Sequence, residues 1–253
     1  MKKALLLVVL LANLPAARAQ NPWGPGTGDL FKFDAFRPLP EVEGQPARAV
    51  MGDINGFIRV YEEREGGYEE VWVSQYFEGG IGAVHVVDID DDGLQEIVFY
   101  TDRGRFHFLD ASDYQLIWSI PPNEYERITA FAVHNIDEDP QPELIFCGDG
   151  RLIVYKGRDQ YESWRSEQAD FTSTQILVGD VDGDDSDEIV LNEGVVFDSQ
   201  FFDLEWQSPE PFGERMGLLD IDNDEIPELI GEFRRHFLRV FDIDQRREKS
   251  ISR

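Results

Sequence analysis

Residues 86–99 read VVDIDDDGLQEIVF, and the same phase of acidic and aliphatic residues returns three times downstream. The copies are VHNIDEDPQPELIF from Val133 to Phe146, LVGDVDGDDSDEIVL from Leu177 to Leu191, and LLDIDNDEIPELIG from Leu218 to Gly231. Position 1 of each loop falls at Asp88, Asn135, Asp180 or Asp220. Positions 1, 3 and 5 are acidic or amide, position 2 is Ile89, Ile136, Val181 or Ile221, and position 9 is Glu96, Glu143, Glu188 or Glu228. The flanks of the first copy, VHVV and EIVFY, are β-branched and aromatic, so the loop joins two strands.

A fifth, degenerate copy lies upstream. EVEGQPARAVMGD, from Glu41 to Asp53, aligns without a gap on DEDPQPELIFCGD, from Asp137 to Asp149, and places its position 1 at Leu39. Loops starting at 39, 88, 135, 180 and 220 divide the chain into units of 40 to 49 residues. Each unit divides again into four short strands. In the second unit these are Ala83 to Ile89, Glu96 to Tyr100, Arg105 to Asp110 and Tyr114 to Ile120, with hairpin turns marked by Gly, Asn and Asp. No segment keeps a 3.6-residue apolar period with caps. The expected fold is therefore all-β, a β-propeller of five four-stranded blades forming a single domain over residues 20–253, with the acidic loop between the first and second strand of each blade.

Tryptophans mark the outer strands. Trp72, Trp118, Trp164 and Trp206 precede the next loop start by 16, 17, 16 and 14 residues, and Trp23 precedes Leu39 by 16. That phase predicts that the Trp23 segment forms the outer strand of the last blade and closes the ring at five. In the competing arrangement Pro22 and Pro25 keep that segment out of the sheet, and Gln245 to Arg253 supplies the outer strand.

The chain opens MKKALLLVVLLANLPAARAQ, with Lys2 and Lys3, an apolar run and Ala17-Arg18-Ala19, which reads as a secretory signal peptide over residues 1–19 cleaved near Ala19/Gln20. The expectation is a secreted or periplasmic monomer with no membrane span. Removing Lys2, Lys3 and Arg18 takes the formal charge from −28 to −31, a balance that repels nucleic acid and anionic membranes and favours bound cations. Cys147 is the only cysteine, so an internal disulfide is excluded, and its apolar strand predicts a buried, inert thiol.

Carboxylates at alternate positions of a nine-residue turn suit calcium, a hard ion that takes six to eight oxygens. The predicted ligands are Asp88, Asp90, Asp92, the Leu94 carbonyl and Glu96 in the first full loop, and Asn135, Asp137, Asp139, Gln141 and Glu143 in the second. In the third they are Asp180, Asp182, Asp184, Ser186 and Glu188, and in the last Asp220, Asp222, Asp224, Ile226 and Glu228. An EF-hand would need a twelfth-position Glu and flanking helices, which these loops lack. Acidic turns also form without an ion, but crowding three or four carboxylates in one register without a cation is self-repulsive. Two to four Ca2+ are expected. Gly93 at position 6 and Gly183 at position 4 mark the best loops, and Pro140, which forbids a positive φ at position 6, marks the weakest.

With these residues in view, DVDGDDSDEIVL and DIDDDGLQEIVF resemble the FG-GAP or VCBS repeat, the calcium-binding blade motif of integrin α-chain propellers and of many secreted bacterial proteins. The resemblance implies a propeller, calcium in these loops, and often adhesion or carbohydrate binding. The chain departs from the motif in carrying Glu rather than Asp at position 9 and Gly only once at position 6.

The resemblance also places the turns between second and third strands, and the connections between blades, on the face opposite the calcium loops. Those connections carry Tyr76 and Phe77, Tyr125, Phe171 and Phe212, candidates for stacking on a sugar or anchoring a protein, or for packing between blades. A non-catalytic binding or adhesion module for a protein or glycan is the expected function. The alternative is a carbohydrate-active enzyme on the central face, by analogy with polysaccharide lyases to which such repeats are attached. His85, His107, His134 and His236 show no metal-ligand spacing, and no nucleophile motif accompanies them.

Overall fold

The computed structural model describes residues 35–234 and 237–249. These form twenty strands in five antiparallel sheets of four, each sheet in simple chain order. The first blade holds β1 (Phe36–Pro38), β2 (Arg48–Gly52), β3 (Ile58–Arg64) and β4 (Gly67–Val73). The second holds β5 (Ile81–Val87), β6 (Glu96–Thr101), β7 (Arg105–Asp110) and β8 (Leu116–Ser119). The third holds β9 (Ile128–His134), β10 (Glu143–Gly148), β11 (Arg151–Lys156) and β12 (Tyr161–Arg165). The fourth holds β13 (Ile176–Gly179), β14 (Glu188–Leu191), β15 (Val195–Asp198) and β16 (Leu204–Gln207). The fifth holds β17 (Arg215–Leu219), β18 (Glu228–Phe233), β19 (Phe237–Asp242) and β20 (Arg247–Lys249). The repeat thus maps one unit to one blade. Among the described residues no helix is long and apolar enough to cross a membrane.

Alternation along the second strand of each blade sends side chains to two neighbours. On β6, Ile97 and Phe99 join a cluster shared with the first blade, and Val98 and Tyr100 join one shared with the third. Two further clusters join the third blade to the fourth and the fourth to the fifth. The outer-strand tryptophans close these layers: Trp72, Trp118, Trp164 and Trp206 stand opposite Val60, Phe108, Val154 and Val196, each beside a bulge. The other face of the fifth blade carries Leu219 and Leu238, exposed at 57% and 66%.

The outer strand of the fifth blade is Arg247–Lys249, paired to β19, so the tail takes the place that the tryptophan phase assigned to the Trp23 segment. Trp23 and the expected leader of residues 1–19 lie outside the described residues, as does His236. The expected register of the degenerate unit is also corrected. Leu39 is buried in the core between the first two blades, the role of the position-2 residues Ile89 and Val181, and Arg48 pairs with Glu62 as Glu96 pairs with Asp110. Leu39 and Arg48 are nine residues apart, against seven for Ile89 and Glu96, so a longer loop displaced the gapless alignment.

Candidate metal sites in the blade loops

Each acidic loop is anchored by its position-9 glutamate. Glu96, Glu143, Glu188 and Glu228 are all buried, at 5%, 1%, 1% and 3% exposure. One carboxylate oxygen of each accepts the backbone N–H of position 2, from Ile89, Ile136, Val181 and Ile221, at 2.8 to 3.0 Å. Position 5 caps the turn in the same way: Asp92, Asp139, Asp184 and Asp224 accept the N–H two residues on, from Leu94, Gln141, Ser186 and Ile226. The result converges carboxylates. Ligand atoms of Asp88, Asp90 and Glu96 lie within 4.8 Å of one another, as do those of Asp137, Asp139 and Glu143, of Asp180, Asp182 and Glu188, and of Asp220, Asp222 and Glu228.

Backbone geometry separates one loop from the rest. Positions 4 and 6 both have positive φ in three loops, at Asp91 and Gly93, Gly183 and Asp185, and Asn223 and Glu225. In these the position-1 aspartate receives two loop N–H groups, from Asp92 and Gly93, from Gly183 and Asp185, or from Asn223 and Glu225. Pro140 cannot adopt that conformation, and in its loop Asn135 instead donates from Nδ2 to the Asp139 carbonyl at 2.6 Å.

A second division follows charge rather than backbone. Lys156 Nζ lies among the carboxylates of the loop at 135–143, 2.8 Å from Glu143, 3.0 Å from Asp139 and bonded to Asp137. Lys249 Nζ does the same at 220–228, 2.8 Å from Asp222, bonded to Glu228 and 3.7 Å from Asp242. No ammonium is described at the loops of 88–96 and 180–188. There burial, opposed by the backbone hydrogen bond and reinforced by the neighbouring carboxylates, pushes Glu96 up to about 7 and Glu188 up to about 8. Burial also raises Asp182, whose Oδ1 is buried without a hydrogen-bond partner. In the other loop burial raises Glu143 against the pull of Lys156, and Lys156 itself is held above its ordinary range by its carboxylate partners despite burial.

These features test the residues against calcium. The donors are all hard oxygens, an ammonium stands where a metal ion would at two of the four loops, and at the other two the buried carboxylates have no lysine partner among the described residues. The donor set fits a divalent ion at 88–96 and 180–188. The lysines escaped sequence reading because each comes from another strand of its blade, 13 residues beyond Glu143 or 21 beyond Glu228.

The connection aromatics occupy different ground. Tyr76 is exposed at 61%, but Phe77, Tyr125, Phe171 and Phe212 are buried. Backbone docking places them: the N–H groups of Phe77 and Phe171 donate to the hairpin carbonyls of Gly56 and Gly150, driving each ring between blades. Gly56, at φ 84°, lies so close that an added Cβ would fall 2.2 Å from the Phe77 carbonyl. Those four residues therefore pack the core and present no ring face to a ligand. A cavity of about 570 Å3 lies instead between the third and fourth blades on the acidic-loop side, bounded by Asn135, Glu138, Trp164, Asp185, Asp187 and Phe202. Of the histidines, His107 is buried and His85 half-buried, both are lowered to about 4, chiefly by desolvation, and His134 meets Asp187 at 2.9 Å. Cys147 is buried, and burial holds its thiol above the usual range.

No family model and no curated relative matches the chain. Solved structures do. The chain is 11% identical to BBS1N, crystallised in complex with ARL6DN, over 86% of this chain and 67% of that one, with a TM-score of 0.61. It is 15% identical to the Neurospora crassa Pan2 WD40 domain over 80% and 61%, with a TM-score of 0.56. Against the V. cholerae biofilm matrix protein Bap1 the identity is 21% over 81% and 34%, with a TM-score of 0.55. At these identities the likeness shows the fold, and the chain spans a third to two thirds of the length of these proteins. The protein is a β-propeller built of five four-stranded blades.

Proposed function

We propose that this protein is an exported, calcium-stabilised propeller that serves as a non-catalytic binding module. The observation that carries the reading is the pairing of Lys156 and Lys249 with two of four equivalent carboxylate sets, while the other two sets converge with no lysine beside them among the described residues. Three carboxylates in one turn repel one another, and a divalent ion offsets that repulsion and ties the first strand of a blade to the second. Export supports calcium loading, and the leader-like residues 1–19 support export.

The partner is a protein or a glycan. Propellers hold such partners on loops carried by a rigid ring. BBS1N in its complex with ARL6DN and the biofilm matrix protein Bap1 are neighbours in fold, and the mixed aromatic and polar wall of the cavity beside Trp164 suits either kind of ligand. Titration of chelator-treated protein with calcium chloride in a calorimeter tests the metal reading. Saturable binding is expected, and the absence of any heat or bound ion contradicts it. A glycan array probed with and without calcium then separates a sugar from a protein partner.

A further inference from the structure

We propose that Lys156 and Lys249 are tethered counter-ions that take the place of calcium in the loops at 135–143 and 220–228. Calcium then governs the second and fourth blades and leaves the third and fifth independent of it. This rests on the calcium reading above and adds which blades respond.

Strand register shows how a single cross-strand position sets the outcome. Lys156 on β11 lies directly opposite Glu143 on β10. At the same register β7 and β15 place Asp110 opposite Glu96 and Asp198 opposite Glu188. One position therefore carries a cation in the third blade and an anion in the second and fourth. The fifth blade reaches the same end by another route. Phe241 lies opposite Leu229, so Asp242 follows the acidic pattern beside Glu228, and the ammonium comes from the outer strand. Lys249 stands opposite Val240, the position that Trp72, Trp118, Trp164 and Trp206 hold in the other blades.

Two different positions thus deliver an ammonium to equivalent carboxylates. An Nζ 2.8 Å from Glu143 and 3.0 Å from Asp139, or 2.8 Å from Asp222, occupies the space between the oxygens and adds a positive charge there. A second cation meets both steric exclusion and like-charge repulsion. A tethered ammonium also needs no ion from solution, so those loops keep their shape whether or not calcium is present.

Native mass spectrometry of the full chain with calcium, and hydrogen exchange with calcium or with chelator, test the proposal. Two ions are expected, with exchange protection lost on chelation at 88–96 and 180–188 and unchanged at 135–143 and 220–228. Lys249→Met is expected to raise the count from two to three, because that loop already has the turn seen at Asp88 and Asp180. Four ions on the unsubstituted protein, calcium-dependent protection at the lysine-filled loops, or a folded Lys249→Met variant that still holds two ions would each overturn the counter-ion assignment. Absence of any bound ion would instead overturn the calcium reading itself.

Discussion

Lys156 Nζ lies 2.8 Å from Glu143 Oε1, joining a cation on β11 to a glutamate 1% exposed at the base of the third blade's loop. Removing one partner of such a pair leaves a buried, uncompensated charge. Lys156→Met is expected to destabilise the protein by roughly 2–4 kcal/mol, since the lysine is partly open to solvent. Denaturant unfolding in chelator measures it; a loss below about 0.5 kcal/mol, the range of ordinary surface changes, would show that the pair contributes nothing.

Substitutions in the unfilled loops should change sign with calcium. In chelator, Asp90→Asn or Asp182→Asn removes one of several mutually repelling carboxylates and should be neutral or stabilising by up to about 1 kcal/mol. In calcium the same change removes a charged ligand and should destabilise. Unfolding curves of each variant in both media check the reversal, and destabilisation by the same amount in both would mean that the carboxylate serves a purely protein contact.

The pH dependence of the metal-free protein has two flanks. Glu96 and Glu188 titrate at about 7 and about 8 when folded, above the ordinary 4.5, so the folded state retains protons that the unfolded state has released. Stability should therefore fall as pH rises toward 8. His85 and His107 are lowered from 6.5 to about 4, so their contribution is complete above 6.5 and is lost as pH falls toward 4. Melting temperatures in chelator should peak between these flanks, and calcium should flatten the alkaline one. Chelator curves that rise steadily to pH 8 would contradict the assignment.

The aromatic residues divide between core and surface. Phe146→Ala or Phe212→Ala, each at a fully buried position, should cost about 3–5 kcal/mol. Tyr76→Ala, at an exposed one, should stay within about 0.5 kcal/mol. Chemical denaturation of the three variants checks the ranking.

Much of this was legible in the chain itself. The recurring loop gave the unit, the hairpin turns gave four strands per unit, and Gly93, Gly183 and Pro140 marked where positive φ is and is not attainable. What stayed hidden depends on register across strands. The Leu39 shift arose from a longer loop, visible only once Arg48 paired with Glu62. Lys156 and Lys249 lie far from their carboxylates in sequence and meet them only through β11 and β20. Phe77 and Phe171 look like loop aromatics in sequence, and backbone bonds to glycine hairpins bury them. The tail at Arg247–Lys249 completes the last blade without a tryptophan, where the Trp23 phase suggested another donor.

The most direct test of the central claim is thermal unfolding of the full protein with excess calcium and with excess chelator at the same pH. An ion bound to the folded state alone raises the melting temperature in a concentration-dependent way. The account predicts a clear rise that grows with calcium concentration. Identical melting temperatures in the two media would contradict it.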